Sequence, residues 1–337
     1  MTTLANGVRV ITLALPHLES ASVSVFVRTG SCHERHASSG ISHVVEHMAF
    51  KGTLTRSCQT INLDAERLGA EVNAHTDKDH TAYHMRGLAR DAGRFVEMLA
   101  DIVQNGSFPE AELERERQVI LQELAEDDDD AYSMAYRLFD KVCYGSHPLA
   151  QPVIGLRRNI ERFSRDDLLD YVRRQYSGVN LVVAAAGRID PDEIVREAEA
   201  SFGALPRGTE NLVGPASWRG GFAARRMAGV SQSHVVIGFP SPPSTDDAHH
   251  VAVVASALFG EGMSSPLMDE IRERRGLVYY AACSTDLNEL AGQFVIEASM
   301  APENVEAFAS ELVRLLRAHA GGIDPVGLER ARNQLAV

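Results

Sequence analysis

Three observations predict an α+β protein built as two related domains. The chain has 337 residues, more than one hydrophobic core usually organises. Short runs of alternating β-branched residues are interleaved with stretches that are amphipathic at helical spacing. The third observation is an internal repeat. "DAGRFVEMLADIVQNGSFPEAELERERQVIL", from Asp91, has a faint twin in "ENVEAFASELVRLLRAHAGGIDPVGLERARNQLA", from Glu303, and both read as an amphipathic helix, a Gly-containing break, a Pro start and LER-x-R. Each domain is expected to be a mixed, mostly antiparallel sheet packed with helices. The Gly, Pro and polar composition of "LPRGTENLVGPASWRGG" marks a linker at 206–221, separating a first domain at 1–205 from a second at 222–337.

The elements follow in order. "GVRVITLAL" and "SASVSVFVRTG" alternate as strands around a turn at "PHLES". "SSG" introduces a helix from Ser39 to Lys51, and "INLDAERLGA" is helical, with Gly69 able to end it. "EVNAHTDKDHTAYHMRGL" reads as a strand, a polar turn and a returning strand. "DAGRFVEMLADIVQNG" has one apolar helical face, and Pro109 starts a long helix just inside its first turn.

With 45% hydrophobic and 23% charged residues the composition is that of a globular protein, and no apolar run approaches the roughly 20 residues of a membrane span. No signal peptide is read at "MTTLANGVRVITLAL", which makes the cytoplasm the expected compartment. Cys32, Cys58, Cys143 and Cys283 form no C-x-x-C pair and are expected as free thiols. A formal charge of −13 argues against a nucleic-acid partner, because a phosphate backbone attracts clustered Lys and Arg. The run from Glu126 to Asp130 reads either as a solvated helix end or as a collar selecting basic substrates.

The most informative segment is "HVVEH". On a helix, His43 and His47 stand at i and i+4 on one face, with Glu46 beside them. Two imidazoles and a carboxylate suit a divalent metal. Zinc is the natural candidate, since it takes nitrogen and oxygen ligands and promotes hydrolysis without redox chemistry. The repeat supplies an internal control: alignment of Leu113 with Leu328 puts Ala331 opposite Glu116, and the second copy has no H-x-x-E-H. Groups kept only for solubility or folding would be tolerated equally in both copies.

"HVVEHMAFKGT" resembles the signature of the pitrilysin family, whose H-x-x-E-H is the inverzincin motif. It is closest to the branch of mitochondrial processing peptidase and bacterial processing proteases. Further matches in the family's order lie at "VNAHTDKDHTAYHM", "LADIVQNGSFPEAELERERQVILQEL" and "MDEIRERRGLVYY". The resemblance implies a zinc metalloendopeptidase with His43, His47 and Glu123 as ligands and Glu46 as general base. It also implies a supporting catalytic role for Glu116, two helical turns before Glu123, and a substrate-binding edge strand at Asn73 and Ala74. Arg272 and Tyr279 match residues that relatives bring to the scissile peptide. The expected cofactor is Zn2+. The expected partners are a peptide or unfolded polypeptide substrate and a second subunit, identical or related.

The family pattern is not matched everywhere. Relatives have longer second domains, so the last helices and a strand are expected to be missing after "ARNQLAV", and Pro266 stands where relatives usually carry Arg. His75, His80 and His84 have no counterpart in the motif and read as polar strand and loop residues; adjacent His249 and His250 read as surface residues. Two other function classes remain: a non-catalytic peptide-binding or assembly subunit, and a metal-dependent hydrolase of small molecules. An intact motif with Glu123 argues against the first, and peptide cleavage would exclude the second.

Overall fold

The computed structural model describes residues 1–336. In chain order the elements are β1 (Thr2–Thr3), β2 (Arg9–Ala14), β3 (Ser20–Val27), α1 (Ile41–Ala49), α2 (Cys58–Arg67), β4 (Glu71–Thr76), β5 (Thr81–Leu88), α3 (Ala92–Gln104), α4 (Glu110–Asp129) and α5 (Ala131–Tyr144). There follow α6 (Arg157–Ile160), α7 (Arg165–Gln175), β6 (Leu181–Gly187), α8 (Pro191–Phe202), β7 (Ser233–Ser241) and α9 (His249–Gly260). After a π-helical stretch at Met268–Arg274 come β8 (Tyr280–Leu287), β9 (Gly292–Met300), α10 (Val305–Gly321) and α11 (Pro325–Leu335). The contacts divide the chain into Met1–Ala125 with Gln151–Val213, and Glu126–Ala150 with Gly214–Val337. Residues 126–150, upstream of the expected 206–221 linker, thus group with the second unit. No helix or strand lies between Phe202 and Ser233.

The first unit is a six-stranded sheet in the order β1-β2-β6-β3-β5-β4, antiparallel except for the parallel pair β2 and β6. β3 shows why it forms: Ala21, Val23, Val25 and Val27 are buried on one face while the serines between them are not. Helices α1, α3 and α8 pack on β4, on β3 with β5, and on β2. Phe95, Leu99 and Ile102 of α3 are fully buried there. Helix α2 begins at Ser57, whose hydroxyl accepts from the Thr60 N–H, and Gly69 follows it with a left-handed φ of 60°.

The entry to α1 is the most heavily anchored turn of this unit. Glu34, only 3% exposed, accepts from the N–H groups of Gly40 at 2.7 Å and Ser42 at 2.8 Å. Those are donors that a helix start leaves without intrahelical partners. The Ser42 hydroxyl lies 2.7 Å from the Tyr171 hydroxyl, which lies 2.6 Å from Oγ1 of Thr29. The Asn159 amide donates to the carbonyls of His36 and Ser39. Gly40 itself has φ 102°, and a Cβ there would stand 2.9 Å from Cα of Gly155. Both the backbone angle and the close approach call for glycine.

The second unit holds an antiparallel sheet in the order β7-β9-β8, with α5 packed on β7, α9 on β8 and α11 on α9. Its core gathers Phe259, Ile271, Ile296, Met300, Phe308 and Leu312. Glu297 of β9, 9% exposed, is held by three phenols: Tyr132 and Tyr136 of α5 donate to Oε2 at 2.5 and 2.6 Å, and Tyr280 donates to Oε1 at 2.5 Å. This cluster ties α5 to the second sheet, although α5 precedes β6 in sequence. The helix pairs α3–α4 and α10–α11 repeat the predicted helix, break, Pro and helix order.

The acidic run ends α4 in ion pairs. Asp127 and Asp128 meet the Arg137 guanidinium, and Asp130 caps α5 by accepting from the Ser133 N–H at 2.7 Å. Three of the five carboxylates are thus engaged inside the chain, in keeping with the helix-end reading of this run.

Two outcomes follow. Burial pushes the Glu34 carboxyl up from 4.5 to about 7, against the lowering effect of the Ser42 and Gly40 N–H groups. A raised folded-state pKa means that stability from this group is fully present below pH 4.5 and is lost as pH rises through about 7. The change is on the order of 3 kcal/mol. Urea unfolding of Glu34→Gln should lack that part of the pH slope; an unchanged slope would show that Glu34 is not its source. Tyr136→Phe removes one hydrogen bond to a charged acceptor and should cost about 1.5–3 kcal/mol of second-unit stability in the same assay. An unaltered unfolding midpoint would contradict the tie through Glu297.

Candidate metal centre

Helix α1 divides its residues by face. Ile41, Val44, Val45 and Met48 are buried in the core, which leaves His43, Glu46 and His47 half-buried on the other side. The imidazole ring centroids of His43 and His47 lie 4.6 Å apart. Helix α4 brings Glu123 to them, with Oε2 3.8 Å from Nε2 of His43 and 3.5 Å from Nε2 of His47. One ligand atom from each of the three residues lies within 4.8 Å of the others. Leu113, Ile120 and Leu124 bury the adjoining face of α4, and Arg117 ties the helix to the carbonyls of Ile160 and Phe163.

The donor set fits zinc. Ligand atoms about 2.0–2.2 Å from a tetrahedral zinc stand roughly 3.3–3.6 Å from each other, close to the separations found here. Burial, and then the neighbouring His47, push the His43 imidazole down to about 4, so it is neutral at pH 7 and offers a lone pair. Its Nδ1 is buried without a hydrogen-bond partner.

Around this trio stand Glu116, which the resemblance implied, and two groups that it did not, Lys51 and Thr76. Glu116 is 9% exposed, and its Oε2 lies 3.1 Å from Nδ1 of His47 while Oε1 meets Nζ of Lys51 at 2.7 Å. Glu116 therefore touches a ring that could hold metal, and a carboxylate on the far nitrogen fixes the tautomer and orientation of such a ring. Its geometry is that of a positioning group. The Glu46 carboxylate accepts from Oγ1 of Thr76 at 2.6 Å. Thr76 and Lys51 were absent from the sequence-derived site. Lys51 follows His47 by four residues, which was a readable signal; Thr76 lies on another element and gave none.

β4 forms the edge of its sheet, pairing only with β5. Asn73 and Ala74 lie on it, and Oδ1 of Asn73 accepts from the Ala74 N–H at 2.8 Å. Arg272 and Tyr279 belong to the second unit. Arg272 sits in the π-helical stretch near Sδ of Met263, at 3.4 Å, and near Glu273, at 3.7 Å. Tyr279 is 65% exposed, and its N–H donates to the Ser299 carbonyl. Among the described residues no helix is long and apolar enough to cross a membrane.

Known proteins resemble this chain over nearly its whole length. Residues 9–156, which hold His43, Glu46, His47 and Glu123, match the family described as Insulinase (Peptidase family M16), and residues 162–335 match Peptidase M16 inactive domain. A protein of Rickettsia bellii named an uncharacterized zinc protease is 33% identical over 98% of this chain and 81% of its own length. One of the same description from Mycobacterium tuberculosis is 36% identical over 90% of this chain and 70% of its own. The crystal structure of a protease from Helicobacter pylori superposes with a TM-score of 0.90 at 25% identity, covering 99% of this chain and 83% of that one. The fold, the H-x-x-E-H segment and the two consecutive matches agree, and the chain belongs to peptidase family M16, the pitrilysin family.

Proposed function

We propose that the chain is a zinc-dependent endopeptidase acting on peptides or unfolded protein segments, with its metal ligands and general base in the first unit. The observation that carries this reading is the convergence of His43, His47 and Glu123 with the Glu46 carboxylate alongside on α1. The zinc-protease names of the relatives support it. Zinc at such a site lowers the pKa of water towards about 7 and polarises a carbonyl.

The chain's own residues have distinct tasks. His43 and His47 present Nε2 and Glu123 presents Oε2, while Glu116, neutralised by Lys51, holds His47 in orientation. Glu46, steadied at Oε2 by Thr76, takes the proton of the attacking water and passes it to the leaving amine. The free edge of β4 at Asn73 and Ala74 receives the substrate as an added strand, once the Asn73 side chain releases the Ala74 N–H. Arg272 and Tyr279 supply a cation and a hydroxyl for the oxyanion of the attacked peptide, and come from a partner subunit. The alternative, a non-catalytic subunit, would leave the intact ligand trio and Glu46 without a task.

Glu46→Gln should keep the zinc of this site and lose about 100-fold or more in peptidase turnover, because an amide cannot accept the proton. His43→Ala, His47→Ala and Glu123→Gln should lose this metal, and Glu116→Gln should weaken its binding about 10–100-fold. Metal analysis beside cleavage of a diverse peptide mixture checks all of these; wild-type turnover by Glu46→Gln would remove it as the base. The partner contribution is tested by mixing Glu46→Gln with Tyr279→Phe chains. If Tyr279 acts across subunits, one of the two sites in each mixed dimer is intact and activity returns to at most about half. No recovery in a mixture shown to exchange subunits would refute the arrangement.

A further inference from the structure

The metal centre leaves a second imidazole cluster unused. His75 lies near the end of β4, His80 immediately before β5, and His84 on β5. Neighbouring strand residues point to opposite faces, and Thr76 reaches Glu46 on α1, so His75 stands on the face of β4 turned away from α1. There its Nε2 is 3.3 Å from Nε2 of His80, with the two rings almost perpendicular at 87°. The His84 ring centroid lies 5.9 Å from that of His75. Nδ1 of His80 is 2.7 Å from Oδ1 of Asp79. This contact holds a proton on Nδ1 of His80 and raises the pKa of the ring, so Nε2 is the nitrogen that gives up its proton first and then faces His75 with a lone pair.

We infer that His75 and His80 form a second metal site, for a divalent transition cation of the zinc, nickel or copper class. Two imidazole nitrogens bound about 2.0–2.1 Å from a tetrahedral zinc stand about 3.3 Å apart, the separation seen here. A carboxylate on the far nitrogen of one ring is the usual outer partner of a metal-bound histidine. Imidazole donors select such cations over calcium and magnesium, which take oxygen ligands. His84 is the nearest third imidazole, and water fills the remaining positions. Without metal a proton occupies the gap, as an N–H of one ring directed at Nε2 of the other. On binding, that N–H bond breaks, a metal–nitrogen bond forms, and the proton leaves to solvent. The ion ties β4 to the turn before β5, on the opposite face of the strand whose Thr76 steadies Glu46.

Equilibrium dialysis of the full chain against Zn2+ alone tests the site. The wild type should take up two zinc per chain, His47→Ala one, His80→Ala one, and the double variant none. Asp79→Asn should retain the second equivalent with affinity weakened about 10–100-fold, as expected for a group that orients a ligand. Circular dichroism verifies folding, and His75→Gln replaces His80→Ala if the latter unfolds. A single zinc in the wild type that His47→Ala abolishes overturns the inference, as does a second equivalent that survives both His80→Ala and His75→Gln. A single zinc that His47→Ala keeps and His80→Ala loses supports the second site and instead removes the first.

Discussion

Everything at the candidate metal centre depends on where α1 begins. That helix has only nine residues and carries both histidines and Glu46 on one side. A one-residue shift would turn the three about 100° away from Glu123. The buried Glu34 carboxylate, bound to two N–H groups of the first turn, fixes this start, and Tyr171 and Asn159 reinforce it from segments more than a hundred residues downstream. Once ionised, above pH about 7, its negative charge also complements the positive end of the helix. Burial makes the ionised carboxylate costly, and the two donors offset part of that cost.

The candidate centre is an arrangement of carboxylates around two imidazoles. Glu116 and Glu123, seven residues apart on α4, approach opposite nitrogens of His47. Lys51 compensates the inner carboxylate, leaving Glu123 as the partly exposed acid facing both rings. One side of each helix is tied to the core, so the polar sides can meet without moving. A ligand set assembled from rigid elements holds its geometry better than one built on loops.

The second unit shows a comparable solution without metal-binding groups. A carboxylate on its central strand is satisfied by three tyrosine hydroxyls, two of them from a helix that precedes the last strand of the first sheet. The internal repeat pointed to equivalent helix pairs, but it contained no signal that α5 would join the later sheet. Tyr132 and Tyr136 stand at i and i+4 on α5, but Glu297 lies 165 and 161 residues downstream of them, and no local pattern relates it to the pair.

Local periodicity was enough to determine the elements that position the site. The valines of β3, the caps of α2 and the one-sided apolar face of α3 are short-range features whose physics acts within a few residues. The same holds for the placing of His43, Glu46 and His47 on one helical face, and for the seven-residue spacing of Glu116 and Glu123. Tertiary structure decided what those side chains meet. It set Glu116 against the far nitrogen of His47, gave Thr76 to Glu46, seated Glu34 under α1 and drew Asp127 and Asp128 onto Arg137. It also brought Nε2 of His75 to 3.3 Å from that of His80, a contact that the spacing of the histidines did not by itself show. Helical and strand spacing relate residues within one element, whereas a carboxylate's partner is chosen by which elements pack together, and that depends on burial across the whole core.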